Sequence, residues 1–168
     1  RLWFIDQLEG SIHYHAPIIW RLKGRLNKEA LSKALQEIIN RHEVLRTVVL
    51  EKEGQAFQSV LPIENWNLEI FDGAANLRED DLQKQIEDLI SKPFELSKDY
   101  MLRAHLMKLN DTEYLLIITM HHIASDGWSI SILIRELEEL YNAYNSERTV
   151  QLPILPLQYS DYSLWQRN

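Results

Sequence analysis

The sequence predicts an α/β fold in which a mixed β-sheet is flanked by helices, and three observations carry that prediction. Short β-branched runs alternate along the chain with segments whose apolar residues recur every three or four positions. One run, Tyr114–Met120, is apolar at consecutive positions (Leu115, Leu116, Ile117, Ile118), the pattern of a central strand covered on both faces. Tight turn pairs at Glu53-Gly54 and Asn110-Asp111 make neighbouring strands antiparallel within an otherwise interleaved order of strand and helix.

In order, Ile18–Leu22 reads as a short strand closed by Gly24. Asn27 caps the helix that follows, Glu29 faces the positive end of its dipole, and Ala30, Leu31, Ala34, Leu35, Ile38 and Ile39 form its apolar face. Leu45–Glu51 reads as a strand, and after the Glu53-Gly54 turn Ala56–Leu61 returns to Pro62. Leu68–Phe71 is a further short strand. Leu82, Ile86, Leu89 and Ile90 mark a second amphipathic helix, stopped by Pro93. Met101–Leu109 and Tyr114–Met120 pair antiparallel. The third helix has the clearest period, Ile130, Leu133, Ile134, Leu137, Leu140, Tyr141 and Tyr144, with Arg135, Glu136, Glu138 and Glu139 on its polar face. Pro153 and Pro156 mark a loop before a last segment, Tyr159–Trp165. Trp3, Phe4, Trp20, Trp66, Trp128 and Trp165 are scattered, and most are expected to fill the core.

With 168 residues, the chain has one domain's usual length and enough to bury a core. Its composition, 45% hydrophobic and 26% charged, excludes disorder and fibre. Eighteen Lys+Arg against 25 Asp+Glu give −7, and without a basic cluster the chain is a poor nucleic-acid binder. No apolar run approaches the roughly 20 residues of a membrane span. The absence of cysteine excludes disulfides, thiolate zinc sites and a cysteine nucleophile. The chain begins at Arg1 without a leader, as a piece of a longer protein would.

Chemistry concentrates in Met120-His121-His122-Ile123-Ala124-Ser125-Asp126-Gly127-Trp128-Ser129. A buried strand delivers two imidazoles to its own end, where α/β proteins place their sites. Adjacent residues of an extended chain point to opposite sides, so one histidine is the candidate for chemistry and the other for support. Asp126-Gly127 opens the strongest helix, with Asp126 as its cap and Gly127 permitting a sharp turn. The plainer reading is a cap, one core histidine and one exposed histidine. A metal site is disfavoured because neighbouring ligands splay apart and no third His or Cys stands at a ligand spacing. His42-Glu43 opens a metalloprotease pattern, but Arg46 stands where the second histidine belongs. A serine-hydrolase elbow, a dinucleotide fingerprint and a phosphate loop are all missing. His13-Tyr14-His15 reads as an irregular surface or edge segment. In Arg41–Thr47 the dipole of the preceding helix accounts for Arg41 and His42 but not for Arg46, placed early in an apolar strand. Asp126 is its natural partner.

These residues together resemble the condensation domain of nonribosomal peptide synthetases. Arg1-Leu2-Trp3-Phe4 is similar to the end of that family's first signature, RHEVLRT (Arg41–Thr47) to its second, MHHIASDGWS (Met120–Ser129) to its third, the HHxxxDG loop, and Tyr159–Trp165 to its fourth. Pro93-Phe94-Glu95-Leu96 and Met101-Leu102-Arg103 share its look. The resemblance implies a chloramphenicol acetyltransferase-like lobe, with residues 1–168 forming the N-terminal, donor-side half and the C-terminal lobe absent. It implies amide formation between a donor acyl or peptidyl thioester and an acceptor aminoacyl thioester. Both would be carried on the 4′-phosphopantetheine of peptidyl carrier proteins, with no cofactor bound directly. His122 would be catalytic. His121 and Asp126 would be structural, with Arg46 as the salt-bridge partner of Asp126 and Arg41 as the fallback. Gly127 would leave room for the pantetheine arm or an oxyanion-stabilising amide, and Ser125, Trp128 and Ser129 would line the substrate channel.

An adenylation domain, carrier proteins and the missing lobe are the implied partners, in a cytoplasmic synthetase. The exposed inter-lobe face could support a dimer, and the isolated fragment would be inactive or weakly active. Ile130 after Ser129, where epimerising relatives carry Trp, and an intact His pair, where cyclising relatives carry Asp, favour the standard subtype. The alternatives are an acyl-CoA-dependent acyltransferase of the same superfamily and a non-catalytic docking module.

Overall fold

A computed structural model describes residues 3, 6, 10–63, 66–150 and 152–167, the side chains of 75, 166 and 167 excepted. The chain divides into two compact units. The first comprises Arg1–Leu26, Asn67–Glu95 and Leu102–Ser125, and the second Asn27–Trp66, Leu96–Met101 and Asp126–Asn168.

The first unit is built on a four-stranded mixed sheet. Strand β1 (His15–Lys23) pairs antiparallel with a later strand running Glu113–His121, which pairs antiparallel with Leu102–Asn110, which in turn pairs parallel with Glu69–Phe71. The register sets His15 opposite His121. The expected central strand is confirmed: from Tyr114 to His121 every residue is buried. On one face of that strand Leu115 and Ile117 join Met107, Ala74 and Ile86, with Leu82, Leu89 and Ile90 packed around them. Ile86 and these last three come from the second predicted helix, which runs Glu79–Ser91 with three acidic residues in its first turn.

The second unit contains the helix pair. Helix α1 (Lys28–Arg41) begins as predicted, with the Asn27 side chain accepting the Ala30 amide at 3.0 Å, and it buries all six predicted apolar residues. The helix Gly127–Asn145 packs against it, burying Leu133, Leu137, Leu140 and Ala143. A two-stranded sheet joins β2 (Thr47–Lys52) to β3 (Gln55–Val60) through Glu53 and Gly54. Their φ values of 55° and 75° both lie in the left-handed region, as a two-residue hairpin of the right twist requires. The segment before the Leu102 strand is tied in by Val49 N–H to Leu96 O and Met101 N–H to Leu45 O. Continuing the numbering, β4 is Glu69–Phe71, α2 is Glu79–Ser91, β5 is Leu102–Asn110, β6 is Glu113–His121, α3 is Gly127–Asn145, and the last segment is helix α4 (Tyr159–Arg167).

Two expectations change. The predicted strand at Leu45 begins only at Thr47, because Glu43–Arg46 forms a 3-10 turn, fastened by Leu45 N–H to His42 O and by the Thr47 hydroxyl to Glu43 O at 2.7 Å. The tryptophans are mostly not core. Trp66 is buried, but Trp3 and Trp20 are only half-buried, while Trp128 and Trp165 are 84% and 74% exposed. Phe4, with Arg1 and Leu2 of the first signature, lies outside the described residues.

Candidate active site

Strand β6 ends at His121, and the two histidines part as strand alternation demands: His121 is fully buried and His122 exposed. The backbone of His122 is pinned by its N–H to Tyr14 O at 2.8 Å, continuing the β1–β6 pairing one step beyond the strand. Its side chain turns back, with Nδ1 3.2 Å from the Ser125 carbonyl oxygen. A carbonyl can only accept, so Nδ1 carries the proton in this bond, and in the neutral ring Nε2 keeps its lone pair. Nε2 has no partner among the described residues. The result is an exposed, oriented imidazole with its second nitrogen open.

His121 is held in the opposite sense. Its Nδ1 accepts the Ile123 amide at 3.0 Å, while Ala124 N–H and the Ser125 hydroxyl reach its carbonyl at 3.0 and 3.1 Å. Tyr14, His15 and Phe94 surround its ring at 5.7–6.2 Å between centroids. Burial, and then the neighbouring His15 and His122, push its pKa down from 6.5 to about 4, so His121 stays neutral through the physiological range. Its Nε2 faces Asp6 Oδ1 at 3.7 Å.

Ser125, expected in a substrate channel, is instead buried. Its hydroxyl is used on the His121 carbonyl and its own carbonyl on His122. His15 opens β1, an edge strand of the sheet, as the edge reading of His13-Tyr14-His15 expects, and its half-buried ring turns toward His121. Its Nδ1–H donates to Ile90 O at 2.7 Å, and its Nε2 meets the Ser11 hydroxyl at 3.2 Å. Ser11 in turn accepts the Phe94 amide at 2.9 Å.

In the second unit, Asp126 caps α3 as predicted. Its Oδ1 accepts the Ser129 amide at 2.9 Å and the Ser129 hydroxyl at 2.6 Å, and Ser129 Oγ accepts the Asp126 amide at 3.2 Å, a complete capping box. Ser129 is thereby engaged in the cap. Trp128, in the first turn of α3, is exposed. A Cβ added at Gly127 would meet nothing within 4 Å, and its φ lies outside the left-handed region, so the turn itself does not require glycine.

The expected pairing of Arg46 with Asp126 is not made. Arg46 belongs to the 3-10 turn, which aims its guanidinium at Leu61 O at 2.8 Å, Asn40 O at 3.5 Å and Glu43 at 3.6 Å. Arg41, the fallback, goes to Glu136 at 3.1 Å and to the Pro153 carbonyl. Glu136 also receives His42 Nε2 at 2.7 Å and is only 3% exposed. Charge alone puts Glu136 on the polar face of α3, yet its place three after Leu133 and four before Leu140 sets it on the buried stripe. The side chain of Gln158 completes the knot, donating to Arg41 O and accepting the Glu43 amide. The second signature thus fastens the start of the fourth. Among the described residues, no group of three or more His, Cys, Asp or Glu could hold a metal ion. No helix among them is long and apolar enough to cross a membrane.

The model of the condensation domain family matches residues 1–168, the whole chain. The chain belongs to the condensation-domain family. It is 42% identical over 170 residues to malpinin synthetase of Mortierella alpina, an alignment covering 99% of this chain and 2% of that protein. It is 40% identical over 172 residues to chondramide synthase of Chondromyces crocatus, covering 99% of this chain and 4% of that one. The chain therefore spans a small fraction of the synthetases it matches. Among solved structures, the starter condensation domain of rhizomide synthetase superposes with a TM-score of 0.84 at 20% identity, over 99% of this chain and 42% of that one. That similarity bears on the fold, which is the chloramphenicol acetyltransferase-like arrangement of condensation domains. The family's work is peptide bond formation in nonribosomal peptide synthetases.

Proposed function

We propose that this chain is the N-terminal, donor-side lobe of a condensation domain, and that His122 is its catalytic residue. The whole-chain family match supports the first part, and the coverage of 42% of a solved condensation domain fits one lobe of a two-lobed enzyme. The observation that carries the second part is the exposed His122 ring, with Nδ1–H donated to the Ser125 carbonyl and Nε2 open. The amine of an acceptor aminoacyl thioester attacks the carbonyl carbon of the donor thioester. A C–N bond forms, the C–S bond breaks, and the proton shed by nitrogen is returned to the leaving thiolate. Nε2 of His122 holds that proton in between, or hydrogen-bonds the tetrahedral intermediate through it. A thioester is already activated, so most of the remaining task is alignment of two tethered substrates.

The 4′-phosphopantetheine arm arrives with each carrier protein as part of the substrate, and Gly127, with open space where a Cβ would stand, leaves its neighbourhood free for it. Asp126 organises the helix start and transfers no proton. Carrier proteins, an adenylation domain and the second lobe are the partners of the complete machine. The exposed Trp128, Leu164 and Trp165 are candidates to meet the second lobe. The test supplies donor- and acceptor-loaded carriers to the chain with and without that lobe. A dipeptidyl thioester seen by mass spectrometry with the complete domain supports the reading. No such product from a folded, complete domain with loaded carriers refutes it.

A further inference from the structure

One buried pair of polar atoms has no place in the mechanism above. Asp6 is helical, accepts the Gly10 amide on its own carbonyl at 2.9 Å, and is buried with its side chain directed at His121. Asp6 Oδ1 and His121 Nε2 lie 3.7 Å apart, both buried, and neither has a hydrogen-bond partner among the described residues. Orphans of this kind are costly, since an unsatisfied buried donor or acceptor loses its hydration for nothing.

Their chemistry is complementary. The Ile123 amide points at Nδ1 of His121, so that nitrogen must present its lone pair and the ring proton sits on Nε2. A donor thus faces an acceptor. We propose that Asp6 is a positioning residue for the condensation site, its Oδ1, 3.7 Å from His121 Nε2, attracting the proton there and so holding the ring in the tautomer that clamps the turn carrying His122. The clamp is the Ile123 amide on Nδ1, together with Ala124 N–H and the Ser125 hydroxyl on the His121 carbonyl. In the other tautomer Nδ1–H would oppose the Ile123 N–H, and the turn from His122 to Ser125 would open. Burial, which pushes the Asp6 carboxyl up and the His121 imidazole down, keeps any proton exchange between them from producing a lasting ion pair.

The kinetic part of this proposal rests on the function proposed above; the tautomer does not. In the complete condensation domain labelled with 15N-histidine, long-range 1H–15N spectra read the His121 tautomer directly. The wild-type protein and Asp6→Asn, whose amide oxygen still accepts, should show the Nε2–H form. Asp6→Ala should lose it, with kcat for amide formation falling about 10- to 100-fold, the scale of a small misplacement at a reacting centre, and KM for loaded carriers unchanged. Asp6→Asn should restore most of the rate. An Nδ1–H tautomer in the wild-type protein overturns the proposal, as does an Asp6→Ala domain with wild-type tautomer and kcat. If Asp6→Ala does not fold, the wild-type and Asp6→Asn spectra decide by the same criterion. A wild-type domain inert toward loaded carriers but showing the Nε2–H form would remove the proposed function and leave the Asp6–His121 pairing standing.

Discussion

His121 and His122 are joined by one peptide bond and make opposite hydrogen bonds: Nδ1 of His121 accepts the Ile123 amide at 3.0 Å, and Nδ1 of His122 donates to the Ser125 carbonyl at 3.2 Å. The first ring therefore carries its proton on Nε2 and the second on Nδ1. One histidine holds the turn from within, and the other stands exposed on it. The two roles cannot be exchanged, because the first ring is buried at the end of β6 and the second is exposed.

The burial of His121 sets a pH dependence. In the unfolded chain this imidazole titrates near its ordinary 6.5, and in the folded chain at about 4. Between those values the unfolded state binds the extra proton, so stability is fully present above pH 6.5 and is lost as pH falls toward 4. His15 and His105, both lowered by burial, act in the same direction, while the raised Asp6 carboxyl opposes them in the acid range. Urea unfolding from about pH 7.5 down to about pH 4.5 should show this decline, and His121→Gln should flatten its slope. An equal slope in the variant would contradict the burial assigned to this ring.

Asp126→Ala should destabilise the chain by about 1 kcal/mol, the usual worth of an N-cap side chain. The substitution removes the capping box with Ser129. Asp126→Asn keeps an acceptor for the Ser129 amide and should recover most of the loss. Thermal melts of the three proteins decide the matter, and a loss undiminished in Asp126→Asn would point to its charge instead of the cap.

Glu136→Ala should be far more damaging, on the order of 3 kcal/mol, because it leaves the Arg41 guanidinium in a mostly buried place without its carboxylate. Chemical denaturation measures this directly. A cost no greater than that of an exposed ion pair, below about 1 kcal/mol, would show that the knot of Arg41, His42, Glu136 and Gln158 is not what holds the second signature to the fourth.

Much of this is legible in the sequence. The period of α1 and α3, the consecutive apolar residues Leu115–Ile118 of β6 and the turn at Glu53-Gly54 are local patterns, and local patterns survive folding. The Asn27 and Asp126 caps are readable for the same reason, since a cap and its helix are adjacent in the chain. The destination of Arg46 is not. The cost of a cation in a strand suggests a pairing with Asp126, but a 3-10 turn at Glu43–Arg46 removes the strand and gives the guanidinium backbone carbonyls nearby. Asp6 and His15 carry no local signal of their role, because His121 is more than 100 residues away in the chain and meets them only once β1 and β6 are in register. Glu136 carries a signal that charge obscures: its spacing from Leu133 and Leu140 is that of a buried position.

The central claim is that Nε2 of His122 handles the proton of amide formation. It is tested most directly by measuring dipeptidyl thioester formation from loaded carriers by the complete domain carrying His122→Ala. Because the ring is exposed, the variant should melt as the wild type does while kcat falls by about 100-fold or more, the usual contribution of a positioned acid–base group. Near wild-type turnover by a folded His122→Ala domain would contradict the account.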